Sequence, residues 1–307
     1  MSTFRIHFAL SLLLPLSLLL ASCSLDSISN TITLTDGLNR VITLHGPARR
    51  VVSLAPSNTE LLYEVGAGAT VVGCDDFSDF PMEAKALPSI GGSMGIYDLT
   101  AIAALKPDLI LAAEINTTEL IESLENMGLT VFYLNNPQHM DGLYQNLRFV
   151  GTLAGKNDEA ESLIKSLDIR IKTIFDKLPD ITKHYRVYYE LDATDPNRPF
   201  TAGPGSYINS LLEAAGDQNI GETLSSSFSA ISANEVINQN PDFILLGDTA
   251  YGVTVESVKL RHGWSAINAV KNNQVYAFDN DIVSRPTARI VDAIETLARI
   301  IHPDIFR

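Results

Sequence analysis

Cysteine and tryptophan are nearly absent: two of the first and one of the second in 307 residues. Two cysteines cannot build a disulfide scaffold or a cysteine zinc cluster. Histidine is scarce as well. His7, His45, His139, His184, His262 and His302 are scattered, and no pair has the HxH or HExxH spacing that sets two imidazoles on one metal. Basic charge is short: 22 Lys and Arg face 36 Asp and Glu, for a net charge of −14. That argues against a nucleic-acid partner, because phosphate binding needs a basic face. There is no GxSxG elbow, no Walker loop and no GxGxxG after a strand. Gly203-Pro204-Gly205 lacks the lysine of a phosphate loop and reads equally well as a tight turn feeding a helix. With no catalytic constellation in view, an enzyme is the weaker class. What is present, 46% hydrophobic and 19% charged residues, is a globular composition long enough for one large domain or two ordinary ones.

The N-terminus reads as a targeting segment. Arg5 and His7 precede an apolar run over 8–20 that contains Pro15. Thirteen residues fall short of the roughly 20 that span a bilayer, so this is a secretory signal. Leu20-Ala21-Ser22-Cys23 resembles a bacterial lipobox, which implies cleavage before Cys23 and a lipid on its sulfur. Cys74 is then expected to be a buried free thiol. No other apolar run is long enough to cross a membrane, so the folded mass is expected outside the bilayer on a lipid anchor.

The rest reads as α/β. Residues 31–35 and 40–44 alternate around Asp36-Gly37 as a hairpin. Strands are expected at 51–54, 70–73, 109–112, 130–134, 185–190, 243–246 and 275–278, alternating with helices, which implies parallel sheets. Ser57-Asn58-Thr59-Glu60 fits a capping box opening a helix. Residues 157–178 hold no Gly or Pro and carry apolar residues at helical intervals, so one long connecting helix is expected. The halves echo each other: helix, Pro107-Asp108, strand in one, and helix, Pro241-Asp242, strand in the other. A strand, a proline turn at Pro56 or Pro204 and a helix also recur. Expected boundaries are 1–22 for the signal, 23–46 for tether and hairpin, 47–154 for the first lobe, 155–180 for the connecting helix and 181–307 for the second lobe. Acidic clusters at Asp75, Asp76, Asp79 and at Asp279, Asp281 have neither a nucleophile nor EF-hand spacing, and read as solvated loops.

Arg50 to Glu60, Val72-Gly73, Ser78 to Pro81 and Leu105 to Ile110, followed by Phe200 to Gly203, Ser232 to Asp242 and Arg285 to Arg289, resemble the vitamin B12-binding proteins of bacterial ABC importers. More widely they resemble the helical-backbone (class III) periplasmic receptors for corrinoids, ferric siderophores and haem. The resemblance implies two Rossmann-like lobes on a rigid helix, a ligand between them, no cofactor, and an ABC permease as partner. It carries ligand contacts onto Phe80, Phe200, Phe228, Asp281 and Arg285, and two helix N-termini, one at Ser57 and one near Ser206, are expected to face the same cleft and bring Ser57, Asn58 and Gly203 to the ligand. Where the family has tryptophans, this chain has Ser93 or Met94, and Ala113; its single Trp264 lies elsewhere. The family's docking glutamates fall at Thr100 and Asn234, with Asp98 and Glu235 beside them as substitutes. The expected function is capture of cobalamin or a related corrinoid by a monomer, with a ferric siderophore or haem as the alternative. A two-lobed metal enzyme would need Cys or His clusters that this chain lacks.

Overall fold

The computed structural model describes residues 31–137 and 139–306. The expected signal segment and Cys23 lie outside these residues. A hairpin, β1 (Ile32–Thr35) with β2 (Val41–Leu44), comes first. Its turn is organised by buried Asp36, whose carboxylate accepts from the backbone of Leu38 and Arg40, from the Arg40 guanidinium and from the Tyr133 amide. The last of these docks the hairpin onto the first lobe.

That lobe follows the expected alternation: β3 (Val51–Ser53), α1 (Pro56–Glu64), β4 (Val71–Cys74), α2 (Leu99–Ala104), β5 (Leu109–Ala113), α3 (Thr118–Asn126), β6 (Val131–Leu134) and α4 (Met140–Ala154). Its four strands lie in the order β4-β3-β5-β6, all parallel. The buried runs Val51-Val52 and Leu109 to Ala112 suit strands covered on both faces. Cys74 is buried and free, as expected.

α5 (Asn157–Phe175) is the connecting helix. It ends three residues before the sequence suggests, and Pro179 then sits in a 3₁₀ turn at Leu178–Asp180. The residue before a proline is pushed out of the α region, which accounts for the early stop. Ile164, Leu167, Ile171 and Ile174 are buried against both lobes' cores. Ion pairs brace its two ends: Glu161 to Arg148 of α4 at 2.6 Å, and Arg170 to α11 (defined below), at Asp292 (2.5 Å) and Glu295 (2.9 Å).

The second lobe holds β7 (Arg186–Asp192), β8 (Phe200–Ala202), α6 (Tyr207–Ala214), β9 (Gln218–Asn219), β10 (Phe228–Ala230), α7 (Ala233–Gln239), β11 (Phe243–Leu246), α8 (Val255–Lys259), α9 (Asn268–Lys271), β12 (Val275–Ala277), α10 (Asp281–Ser284) and α11 (Ile290–Ile301). Strands β9, β7, β11 and β12 are parallel, but β8 and β10 add as an antiparallel edge. The link from β7 to β8 is too short for a crossover helix, so β8 must turn back on β7. Trp264 fills a core of this lobe with Tyr188, Ile244 and Leu246. Among the described residues no helix is long and apolar enough to cross a membrane.

Candidate functional site

A cleft of about 610 Å³ lies between the lobes. The first lobe supplies most of its wall. Strand β3 runs into Ala55-Pro56-Ser57-Asn58, β5 into Glu114-Ile115, β6 into Asn135-Asn136, and β4 leads to Phe77; all line the cleft. These are the carboxyl ends of parallel strands, where ligands of open α/β sheets bind. The second lobe adds Tyr251 after β11 and Ser284-Arg285-Pro286 after α10. Ile115 (73% exposed) and Tyr251 (85% exposed) present apolar surface without covering neighbours.

The polar groups are mainly amides. Asn146 holds the β6 loop by donating to the Asn135 carbonyl at 2.9 Å. Asn58 is buried, and its Nδ2 has no partner among the described residues. A buried donor left unpaired costs free energy that a ligand acceptor or water would recover. α1 begins at Pro56 after Ala55, which has no side chain to cap it, so an uncapped first turn lines the cleft.

The capping box expected at Ser57 to Glu60 does not form. Pro56 moves the helix start forward, and Glu60 turns away from the helix end. Its carboxylate is buried where the lobes meet. It accepts from Arg285 at 2.9 Å, from Arg289 at 3.1 and 3.3 Å, and from the Thr287 hydroxyl at 3.1 Å. Of the acidic clusters, Asp76, Asp79 and Asp279 are exposed, in keeping with their reading as solvated loops, but Asp75 is not, and three of the others are held by ion pairs. Asp75 is buried and accepts from Ser78 and the Phe77 amide. Asp79 and Asp281 pair with Arg285 at 2.7 and 2.9 Å, and Asp279 with Arg289 at 3.5 Å. Carboxylates from both lobes thus converge on two arginines of the second. One turn along α1, the Glu64 carboxylate accepts the Ala288 amide at 3.0 Å across the same joint. Desolvation, aided by the neighbouring Glu60 charge and opposed by the bond to Ala288, pushes the Glu64 carboxyl up to about 7.

Ser57, Asn58 and Arg285 therefore line the cleft, and Asp281 reaches it through Arg285. Phe80 lies under the Arg289 guanidinium, 4.0 Å from ring centroid to cation, outside the lining. Phe200 and Phe228 are diagonal neighbours on one face of the β8–β10 ribbon, half-exposed and also outside it. Gly203 is packed against the Ser226 carbonyl, and the α6 N-terminus is capped by buried Ser206, so that turn is filled from within. Asp98 caps α2 and Glu235 stands in the first turn of α7. Sequence reading missed Phe77, Ile115, Asn135, Asn136 and Tyr251. Their common signal was their position, just past the end of a strand.

The family model for periplasmic binding proteins matches residues 51–282. The chain is 31% identical over 279 residues to an uncharacterised ABC transporter substrate-binding lipoprotein of Bacillus subtilis, covering 90% of this chain and 87% of that one. It is 28% identical over 281 residues to a cobalamin-binding protein of Halobacterium salinarum, covering 88% and 74%. The fold superposes on a possible iron-binding periplasmic protein of Staphylococcus epidermidis (TM-score 0.72, 28% identity, 83% and 99% covered). It also superposes on the periplasmic vitamin B12-binding protein of Vibrio cholerae (TM-score 0.71, 24% identity, 83% and 97% covered). With two α/β lobes on a braced helix, a cleft at the strand ends and a family match over most of its length, the chain belongs to the periplasmic binding protein family.

Proposed function

We propose that this chain is the solute-binding lipoprotein of an ABC importer, held outside the cell membrane through Cys23, and that its solute is cobalamin or a related corrinoid. The observation that carries the ligand is the cleft's composition: Asn58, Asn135, Asn136 and Asn146 beside the apolar rim of Phe77, Ile115 and Tyr251. A corrinoid is a broad apolar macrocycle edged with amides, and it needs flat apolar walls for its faces and hydrogen-bond partners for its rim. Phe80, Phe200 and Phe228, half-exposed, would flank the parts of so large a ligand that extend past the cleft. The relative named for cobalamin supports the same ligand. One observation favours haem as a second reading: the phenol of Tyr251 stands in the cleft, and tyrosine is a known axial ligand of haem iron. Asp98 and Glu235, each at the start of a capped helix in its own lobe, would present the permease-docking charges.

The test is titration with cyanocobalamin and, separately, with haemin, read by calorimetry and absorption. Saturable binding of cyanocobalamin is expected, weakened by roughly 1–2 kcal/mol in Phe77→Ala and in Tyr251→Ala for lost aromatic surface. Binding of haemin alone would move the assignment to haem.

A further inference from the structure

Beside the cleft the second lobe holds another hollow, of about 430 Å³. Tyr251 lines both. Its floor is Asp248, which follows Gly247 at the end of β11 and is 1% exposed. One carboxylate oxygen accepts the Ala193 amide at 2.9 Å; the other has no partner among the described residues. The remaining polar lining is already engaged. Arg261 gives both ends of its guanidinium to buried Glu190, at 2.5 and 2.7 Å, and stacks on Trp264. Ser257 closes a capping box with Thr254. Asp192 accepts from the amide and hydroxyl of Thr194. With Arg261 neutralised by Glu190, the charge left at the hollow is that of Asp248 and Asp192.

We infer that this hollow is a subsite of the ligand cleft and that it takes an N–H donor, a primary amide or an ammonium group at the ligand's edge, on the unpartnered oxygen of Asp248. A buried acceptor with no partner loses its hydration on folding and regains it only from a donor. The negative residual charge excludes a carboxylate from the same place. The choice of cyanocobalamin as probe rests on the corrinoid reading; the subsite itself does not.

Asp248→Asn keeps the shape and an acceptor for the Ala193 amide while turning the unpartnered position into a donor. Cyanocobalamin is expected to bind this variant at least tenfold more weakly than wild type. Among its monocarboxylates, each with one propionamide hydrolysed, at least one should be discriminated against by wild type and accepted by the variant. Equal affinities of both proteins for all of these probes, with the variant's circular dichroism unchanged, would overturn the subsite. If wild type does not bind cyanocobalamin, the corrinoid reading falls, and the subsite is decided on wild type alone. There, propionamide and propylammonium are titrated against protein carrying ¹³C in its aspartate carboxyls, with Asp248→Asn identifying the resonance. A saturable shift of the Asp248 signal with either probe supports the subsite, and no shift overturns it.

Discussion

The two lobes contain one unit twice, and use it differently. In the first, α2 is capped by Asp98, ends at Lys106 in the left-handed region, and passes through Pro107 to Asp108, whose carboxylate accepts the Arg49 and Arg50 amides just before β3. In the second, α7 is capped by Ser232, ends at Asn240 in the same region, and passes through Pro241 to Asp242, whose carboxylate accepts the Arg186 amide at the start of β7. The scaffold is common because it solves one problem, how to turn a helix into a parallel strand and pin that strand to its neighbour. Around it the lobes diverge. The first sends an uncapped helix start and amides into the cleft; the second fills its corresponding turn and contributes the two arginines of the joint. Scaffold and site thus vary independently.

The joint is where that comparison is broken most severely. Glu60→Ala leaves the partly buried Arg285 and Arg289 without their common partner and with only the more exposed Asp79, Asp281 and Asp279, and a loss of about 2–4 kcal/mol is expected in urea unfolding. A loss below about 1 kcal/mol would mean that the lobes do not depend on this contact. Next comes the second lobe's filled turn. An alanine Cβ at Gly203 would stand 2.2 Å from the Ser226 carbonyl oxygen, whereas Ala55 carries a Cβ in the first lobe's turn without penalty. Gly203→Ala should therefore cost about 1–3 kcal/mol, with the shifted backbone visible as altered amide exchange around Ser226.

A gentler probe of the joint is pH. The Glu64 carboxyl titrates near 7 in the folded protein against an ordinary value of 4.5, so folding takes up a proton between those values. That contribution is complete below about pH 4.5 and is lost as pH rises through 7. Asp217, pushed up to about 7 by desolvation, and Asp248, pushed up to about 6 by desolvation and the Glu190 charge, act with the same sign. In Glu64→Gln the decline in melting temperature from pH 5 to pH 8 should be smaller than in wild type but still present. An unchanged slope would remove Glu64 from the account. The smallest expected effect separates the repeated units themselves. Lys106→Gly relieves a left-handed lysine and should gain up to about 1 kcal/mol, less the added freedom of the unfolded chain. Asn240→Gly should lose about 1 kcal/mol instead, because the Asn240 side chain accepts the Asn268 amide at 2.8 Å. Changes of the same sign would mean that the Asn240 side-chain bond does not set the two units apart.

The strands and the Pro-Asp repeats were legible in the sequence because the forces behind them act over a few residues: apolar runs, proline geometry and nearby caps. The proline turns misled in one respect. Pro56 follows an inner strand with parallel neighbours and Pro204 an inner strand with antiparallel ones, so similar words stand in different topological places. Glu60 was misread because its spacing from Ser57 satisfies a local rule, while its partner Arg285 lies 225 positions away. Tyr251 and Asn135 carry no motif at all; only the sheet's arrangement brings them to one cleft. The extent of the cleft walls is thus a tertiary property, and the resemblance supplied Arg285 but not Phe77.

A single apolar cluster joins Leu61 and Leu62 of α1, Leu147 of α4, Ile164 and Leu167 of α5, and Ile294 and Leu297 of α11. A chain cut after residue 180 would leave the α11-facing side of α5 bare in water, and one begun there would leave the α5-facing side of α11 bare. The lobes are therefore not portable modules. Heating should melt them in one calorimetric transition, and a protease should find the intact chain or small fragments rather than a surviving half.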